Sequence, residues 1–516
     1  MPKAPAFNEP GVGGRAWPGL VLKGLAWAGL LALLALAATA IQAAPGLAPL
    51  VVNDASDLPG LPPLTSTHCA ASNGKCTLRA AIMVANQTAG GLTIILPAGT
   101  YTLTIPAAFG DRDTTGDLNI SSTVTLRGAG ASSTSINANG GVIHDRAFFV
   151  QLGAALNLSG VTIRGGMSAG NGGGIYNAGV LSLDSSALIG NFAGSPNGYG
   201  GALSTAGQAM TVTNSTLSGN IATGGGGAIQ ADFGSVTIVD SSIISNQASI
   251  NGGGIDNGGA TLSVTGSTIA GNTGYNGGGI LSAQNTTTLV VASTISGNTA
   301  VTNAGGGLEE NGGTANLVNS TLSGNSAAVN GGGISNDCPC ASLVNLYNVT
   351  ISNNQADADS NGSGDGGGVF NGNNGINTVQ LQDSLIAGNW ATQLFFHNIY
   401  ILRANDCNGP LTSLDYDLIG TTSDCTFTKS PDDQLNVAAD IGPLQANGGP
   451  TLTQALLPGS PAIDAGAPSG CPDQNSLLLA TDQRGARRTA NGAGTTRCDI
   501  GAFELQRVVY LPLARR

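Results

Sequence analysis

The carboxylates most able to do chemistry in this chain follow short glycine runs. Asp232, Asp256, Glu309 and Glu310 stand one to three residues after the aliphatic residues that close those runs, Ile229, Ile255 and Leu308. Hydrolysis of a glycosidic bond needs two carboxyl groups at a suitable separation. Asp256 and Glu309 occupy equivalent positions on non-adjacent repeats, and two strand spacings between them give about 10 Å, the upper end of an inverting pair. Elimination from a uronate needs instead a base, commonly Lys or Arg, with cationic neutralisation of the substrate carboxylate. From Gly165 to Leu402 there is no Lys or Arg, while eleven acids fall in that span. Such a field repels an anionic polymer. His68 and His144 precede the repeats and His397 follows them, so a Ser-His-Asp constellation is disfavoured. The leading expectation takes the repeat acids as solvated surface groups and assigns no catalytic residue, with hydrolysis as the alternative.

A second cluster is Asp357, Asp359, Asn361 and Asp365, where oxygen-bearing residues alternate ahead of Gly362. That order resembles a Ca²⁺ loop. The twelfth position, which should carry a bidentate Glu, is Gly368, so no EF-hand is expected. Two readings stand, a Ca²⁺ site with Asp365 in the ninth-position role and an ordinary polar loop. A weaker acidic turn comprises Asp111, Asp113 and Asp117.

The elements that position these residues are written in a repeat. Eight glycine runs end at Ile175, Leu203, Ile229, Ile255, Ile280, Leu308, Ile334 and Val369. A second signature closes at Asn191, Asn220, Asn246, Asn272, Asn298, Asn325, Asn354 and Asn389. Both series step by 25 to 29 residues and both lengthen to 35 in the last interval, so one insertion explains both. Segments such as Val236-Thr237-Ile238 alternate with period two, which means strand. The expected fold is all-β, a right-handed parallel β-helix with a short helical cap and a disulfide-bearing C-terminal region. Ile255 should stack on Ile229 and Ile269 on Ile243, and the Asn residues should form an amide ladder at a bend, where Asn also tolerates left-handed backbone. Leu78 to Asn86 is the helical pattern placed to cap the first coil, since a solenoid end is an open strand edge.

Lys3, Arg15 and Lys23 precede an apolar run from Gly24 to Ala40, the pattern of a signal peptide over 1–44 or of an uncleaved membrane anchor. Both readings export the remainder. Eight cysteines then suggest disulfides, and their order groups Cys69 with Cys76, Cys338 with Cys340, Cys407 with Cys425 and Cys471 with Cys498, without proving that connectivity. A net charge of −12 excludes a basic nucleic-acid surface.

Three stretches carry family resemblance. Cys76-Thr77-Leu78-Arg79-Ala80-Ala81-Ile82 through Asn86, with Ile94–Thr104 and Thr115–Ile120, resembles the CSLREA domain of exported bacterial β-helix proteins, with Ala80 in place of the motif's Glu. The Gly-Gly-x-Ile and x-x-Asn units resemble polymorphic outer membrane protein repeats. Gly442–Gly466, Thr481–Arg488 (TDQRGARR) and Arg497–Glu504 (RCDIGAFE) are similar to the choice-of-anchor Q family. These resemblances imply an extracellular or cell-surface β-helix and no settled activity. They divide the chain into a cap and first coils at 45–164, repeats at 165–400, a C-terminal region at 401–504 and a tail at 505–516. The tail lacks an LPxTG pattern and reads either as a sorting signal or as a closing strand and frayed end.

The resulting expectation is a monomeric, secreted or surface-attached protein with a structural, adhesive or glycan-binding role, its partner a surface component or neutral glycan. Membrane contact enters only if the N-terminal segment stays uncleaved. The alternative is a glycoside hydrolase acting on a neutral polysaccharide.

Overall fold

The computed structural model describes residues 47–108, 113–194, 196–283, 285–372, 375–396, 399–488 and 497–506. The segment expected to be a signal peptide and the tail beyond 506 lie outside them, as do Asp111 and His397.

Each repeat winds into one coil of four short strands. In the coil that opens at Ile229 these are Ile229–Ala231, Ser235–Val239, Ser242–Ile244 and Gln247–Ala248, which define the first to fourth faces. Every strand pairs in parallel with its counterpart one coil on: Ile229 with Ile255, Val236 with Leu262, Ile243 with Ile269. The chain is therefore a parallel β-helix, wound in the right-handed sense that parallel crossovers adopt. Coils begin before the glycine-run repeats, with Leu50–Val51 on Leu92–Leu96, and continue past them to Leu418–Ile419 on Gln434–Leu435. The stacked aliphatic residues make one continuous core, with Ile229, Ile243, Ile255 and Ile269 fully buried.

The amide ladder runs as expected. Asn246 donates both its backbone N and its Nδ2 to Oδ1 of Asn272, each at 2.9 Å, and Asn272 repeats the pattern onto Asn298. The left-handed backbone is displaced by one residue from the expectation: Gly219, Ser245, Gly271 and Gly297 have positive φ, and each precedes a ladder Asn. That turn leaves the Asn side chain aimed inward along the axis. There it meets the third glycine of the run, whose absent Cβ would stand 3.1 Å from the Asn amide at Gly254–Asn272 and Gly279–Asn298. The two repeated signatures share a period because they pack on each other. A parallel ladder links Ser215, Ser241 and Ser267, each backbone N donating to the next hydroxyl. The Asn series ends on a carboxylate, Asp406, which accepts from Asn389.

At the front, helix α1 (Leu78–Gln87) closes the first coil, with Thr77 as N-cap accepting from the Ala80 amide. Buried Arg79 pairs with buried Asp57 at 2.6 Å and donates to the carbonyls of Gly116 and Asp117. Ala80 is fully buried. The four cysteine pairs form as their order suggested. The insertion that lengthens the last repeat is the loop between Gln355–Ala356 and Val369–Asn371. Further on, Trp390–Phe396 turns back as an antiparallel hairpin with Ile399–Ala404.

The C-terminal region folds back over the third face. Thr294, Thr321 and Thr350, on consecutive coils there, are buried, whereas Thr216, Ser242 and Thr268 in the same column are only partly so. Gln483 of the TDQRGARR stretch donates to Thr294 Oγ1 at 3.0 Å and accepts from Thr321 at 2.6 Å. Arg488, fully buried, donates to Asn319 and to the Gly501 carbonyl and pairs with Glu504. A second small core of Leu385, Leu418, Leu456, Ile500 and Phe503 seals the strap.

Candidate functional site

Because Ile229, Ile255 and Leu308 point into the core, strand alternation sends the residue after each to the opposite side of the first face. On successive coils this outer column reads Phe149, Tyr176, Ser204, Gln230, Asp256, Leu281, Glu309, Ser335 and Phe370, all in register. Tyr176 and Phe370 are seven rises apart, about 34 Å.

Outward-pointing residues on a solenoid should be wet, yet this column is covered. Asp256 is 4% exposed and Ser204 and Ser335 are fully buried, while Glu309, Tyr176 and Phe370 are partly buried. The glycine runs cause this, since a Cβ on Gly225 would lie 2.1 Å from the Asp256 carboxylate and one on Gly305 2.5 Å from Glu309 Cβ. Their bare backbone closes against the strip as no side-chain-bearing residue could. Asp256 and Glu309 are therefore not the solvated groups that the sequence led us to expect: the periodicity located them but not the backbone lying against them.

Burial sets the electrostatics. It pushes Asp256 up to about 7, with the Asp232 charge adding and a Gln230 hydrogen bond opposing. It pushes Glu309 up to about 8, against the Gly277 amide and with help from the charges of Asp256 and Asp337. Asp232 is also raised by burial, and Gln230 Nε2 donates to it at 2.7 Å. Glu310 points to the other side, where burial lifts it to about 7 and its carboxylate accepts from Gly313. Four polar atoms of the outer column, Ser204 Oγ, Gln230 Oε1, Glu309 Oε2 and Ser335 Oγ, are buried without a hydrogen-bond partner.

Aromatic side chains stand at both ends of the column. Phe149 and Tyr176 stack with ring centroids 5.5 Å apart, with the Arg146 guanidinium 5.4 Å from the Tyr176 ring centre. Phe233, 64% exposed, follows Asp232, and Tyr275 is exposed just before the next glycine run. Composition concealed this clustering, because aromatics are only 4% of the chain.

The residues expected to hold Ca²⁺ are placed differently. Asp357 is buried, and its carboxylate accepts from the amides of Asn361 and Gly362. Asp359 accepts from Asn361 Nδ2 at 2.7 Å. Asp365 pairs instead with Arg403, which also holds Asp424. Asp357, Asp359 and Asn361 thus share one turn, and Asp365 faces a guanidinium. Arg403, the first cation after the repeats, is the partner of Asp365 that loop spacing could not show. A cavity of about 430 Å³ near Asn353 and Asp440 is lined largely by small residues, and its Asp406 is committed to the ladder.

No protein family and no curated protein matches the sequence. Among solved structures, the crystal structure of pectate lyase Pel9A is similar at 15% identity and a TM-score of 0.35, over 89% of this chain and 98% of that one.

Proposed function

We propose that this is an exported β-helix protein that binds an extended, uncharged glycan along the outer strip of its first face. The observation that supports the reading is the pair of aromatic ends of the outer column, Phe149 against Tyr176 at one end and Phe370 at the other, all of them partly exposed. Sugars present apolar ring faces that stack on aromatic rings, and Tyr176 and Phe370 each keep part of their surface exposed. A chain of neutral sugars suits this strip better than an anionic one, because the repeats supply no cation. Attachment to the cell surface and export through the N-terminal segment belong to the same proposal, resting on the apolar run at 24–40.

The test is a screen of the purified protein on arrays of neutral polysaccharides, with and without EDTA, followed by titration of the best binder. Tyr176→Ala and Phe370→Ala should each weaken binding about tenfold, the scale of losing one buried aromatic contact. Binding unchanged in both variants would remove the strip from the proposal. Loss of binding in EDTA would bring the Asp357–Asp365 loop back as a Ca²⁺ site.

A further inference from the structure

We propose that two copies of this protein join through the hairpin that leaves the fourth face, strand Ile399–Ala404 of one copy pairing antiparallel with the same strand of a second copy.

The fourth-face sheet runs from Met167–Ser168 to this hairpin, and Ile399–Ala404 is its last strand. On its inner side that strand pairs with Trp390–Phe396, Ile401 opposite Gln393 and Leu402 opposite Thr392. Among the described residues no strand pairs with its outer side. Support from the rod ends early. Gln355–Ala356 of the preceding coil pairs only with Trp390 and Ala391, and the chain then enters the insertion loop. From Thr392 onward the hairpin runs as a ribbon of two strands, a form that is marginal by itself in water and gains from added strands.

The open edge is apolar and accessible. Tyr400 is 38%, Ile401 40% and Leu402 64% exposed. Natural edge strands are blunted by Lys, Pro or a covering element, as helix α1 covers the front of this rod. Ile399-Tyr400-Ile401-Leu402 carries no charge, no Pro and no Gly.

Charge selects a second copy as the occupant. The chain carries a net −12 and has no Lys or Arg from Gly165 to Leu402, so the flanks of two rods repel and a basic partner is drawn to those flanks instead of the hairpin. At the base of the hairpin the acidity is neutralised, because Arg403 holds both Asp365 and Asp424. The strand also fits itself. With Ile401 on a two-fold axis, each Tyr400 stands opposite the partner's Leu402, and strand alternation puts both pairs on one face as aromatic–aliphatic cross-strand contacts. The two ribbons become one four-stranded sheet, closed by its symmetry. So small a contact belongs to the weak class of interfaces, and the dimer exchanges with monomer.

The experiment is analytical ultracentrifugation of the whole protein, without glycan, from about 1 μM to about 1 mM, the span of weak association. The expected result is a monomer–dimer equilibrium. Ile401→Lys sets two ammonium groups opposite each other on the axis and should weaken the dimer about tenfold or more, with an unchanged circular dichroism spectrum and melting temperature. A second variant reads the geometry directly. The native cysteines are all in disulfides, so Ile401→Cys adds the sole free thiol. Residues directly opposite in an antiparallel pair have Cα atoms about 4.5–5.5 Å apart, within disulfide reach. Mild oxidation should therefore link Ile401→Cys into covalent dimers and leave Leu152→Cys, 77% exposed on an early coil, as monomer. A chain that stays monomeric across the range overturns the proposal, as does a dimer indifferent to Ile401→Lys or cross-linking equal in the two cysteine variants. A monomer that sediments with neutral phosphatidylcholine vesicles, and no longer does so as Ile401→Lys, also overturns the pairing and gives the hairpin to a lipid surface.

Discussion

At the scale of single residues, charge in this protein is concentrated where the coil pattern ends. Arg79 is fully buried, and Asp57, which it clasps, also accepts from the amides of Thr104 and Ile105. This one carboxylate thus joins the helical cap to the first turns. Arg79→Leu leaves Asp57 buried and uncompensated, and should lower stability by about 3–5 kcal/mol in urea denaturation, the usual cost of breaking a buried pair from one side. The double variant Arg79→Leu, Asp57→Leu should recover part of that loss. A loss below about 1 kcal/mol in the single variant would show that the pair does not hold the cap. Arg79 was legible as part of a motif, but its partner was not, because Asp57 lies 22 positions earlier in a stretch without periodicity. Asp365 and Arg403, 38 residues apart, escaped a local reading for the same reason.

At the scale of elements, the repeat was nearly all legible. Period-two alternation gave the strands, the spacing of glycine runs gave the coil, and the Asn series gave the ladder. Hidden from the spacing was the contact between signatures, Gly254 against Asn272 and Gly279 against Asn298, which explains why neither drifts relative to the other. Equally hidden was the strap. The resemblance marked TDQRGARR and RCDIGAFE, but only the folded chain shows Gln483 bridging Thr294 and Thr321 and the Ala502 amide on Thr350. The ladder makes a graded prediction. Asn272→Ala strips two donors in Asn246 of their acceptor and leaves the carbonyl of Ile243 without its side-chain donor. Each buried orphan costs about 1–3 kcal/mol, so the variant should lose several kcal/mol. Hydrogen exchange should show the loss first in amides of the coils on either side of Asn272, because solenoid stability is carried by nearest-neighbour contacts. Exchange accelerated equally along all coils would mean that the ladder does not act locally.

At the scale of the whole molecule, the acids change the meaning of the net charge of −12. Several of them are buried groups whose titration is moved toward neutral pH. Burial lifts Asp117 and Asp383 to about 7, as it does Asp256 and Glu310, and raises Asp406 to about 6 and Asp417 well above the ordinary carboxylate range. Asp417 and Asp433 both contact the Ser413 hydroxyl at 2.7 Å. That hydroxyl has one proton for two acceptors, which agrees with Asp417, raised by burial, carrying a proton of its own. A group whose folded pKa lies above its unfolded value binds a proton on folding. Its contribution to stability is complete below the unfolded value, near 4, and is lost as pH rises through the folded value, which for Asp117, Asp256, Asp383, Asp406, Glu309 and Glu310 lies between about 6 and 8. The chain should therefore unfold at a higher denaturant concentration at pH 5 than at pH 8. Repulsion among surface carboxylates predicts the same sign, but it acts through solvent and is screened within about 3 Å at 1 M salt. Buried protons are not screened. Measured in urea with 1 M NaCl, the difference between pH 5 and pH 8 should persist if the acids are held neutral inside the coils. Its disappearance in salt would mean that they are ionised in the folded protein.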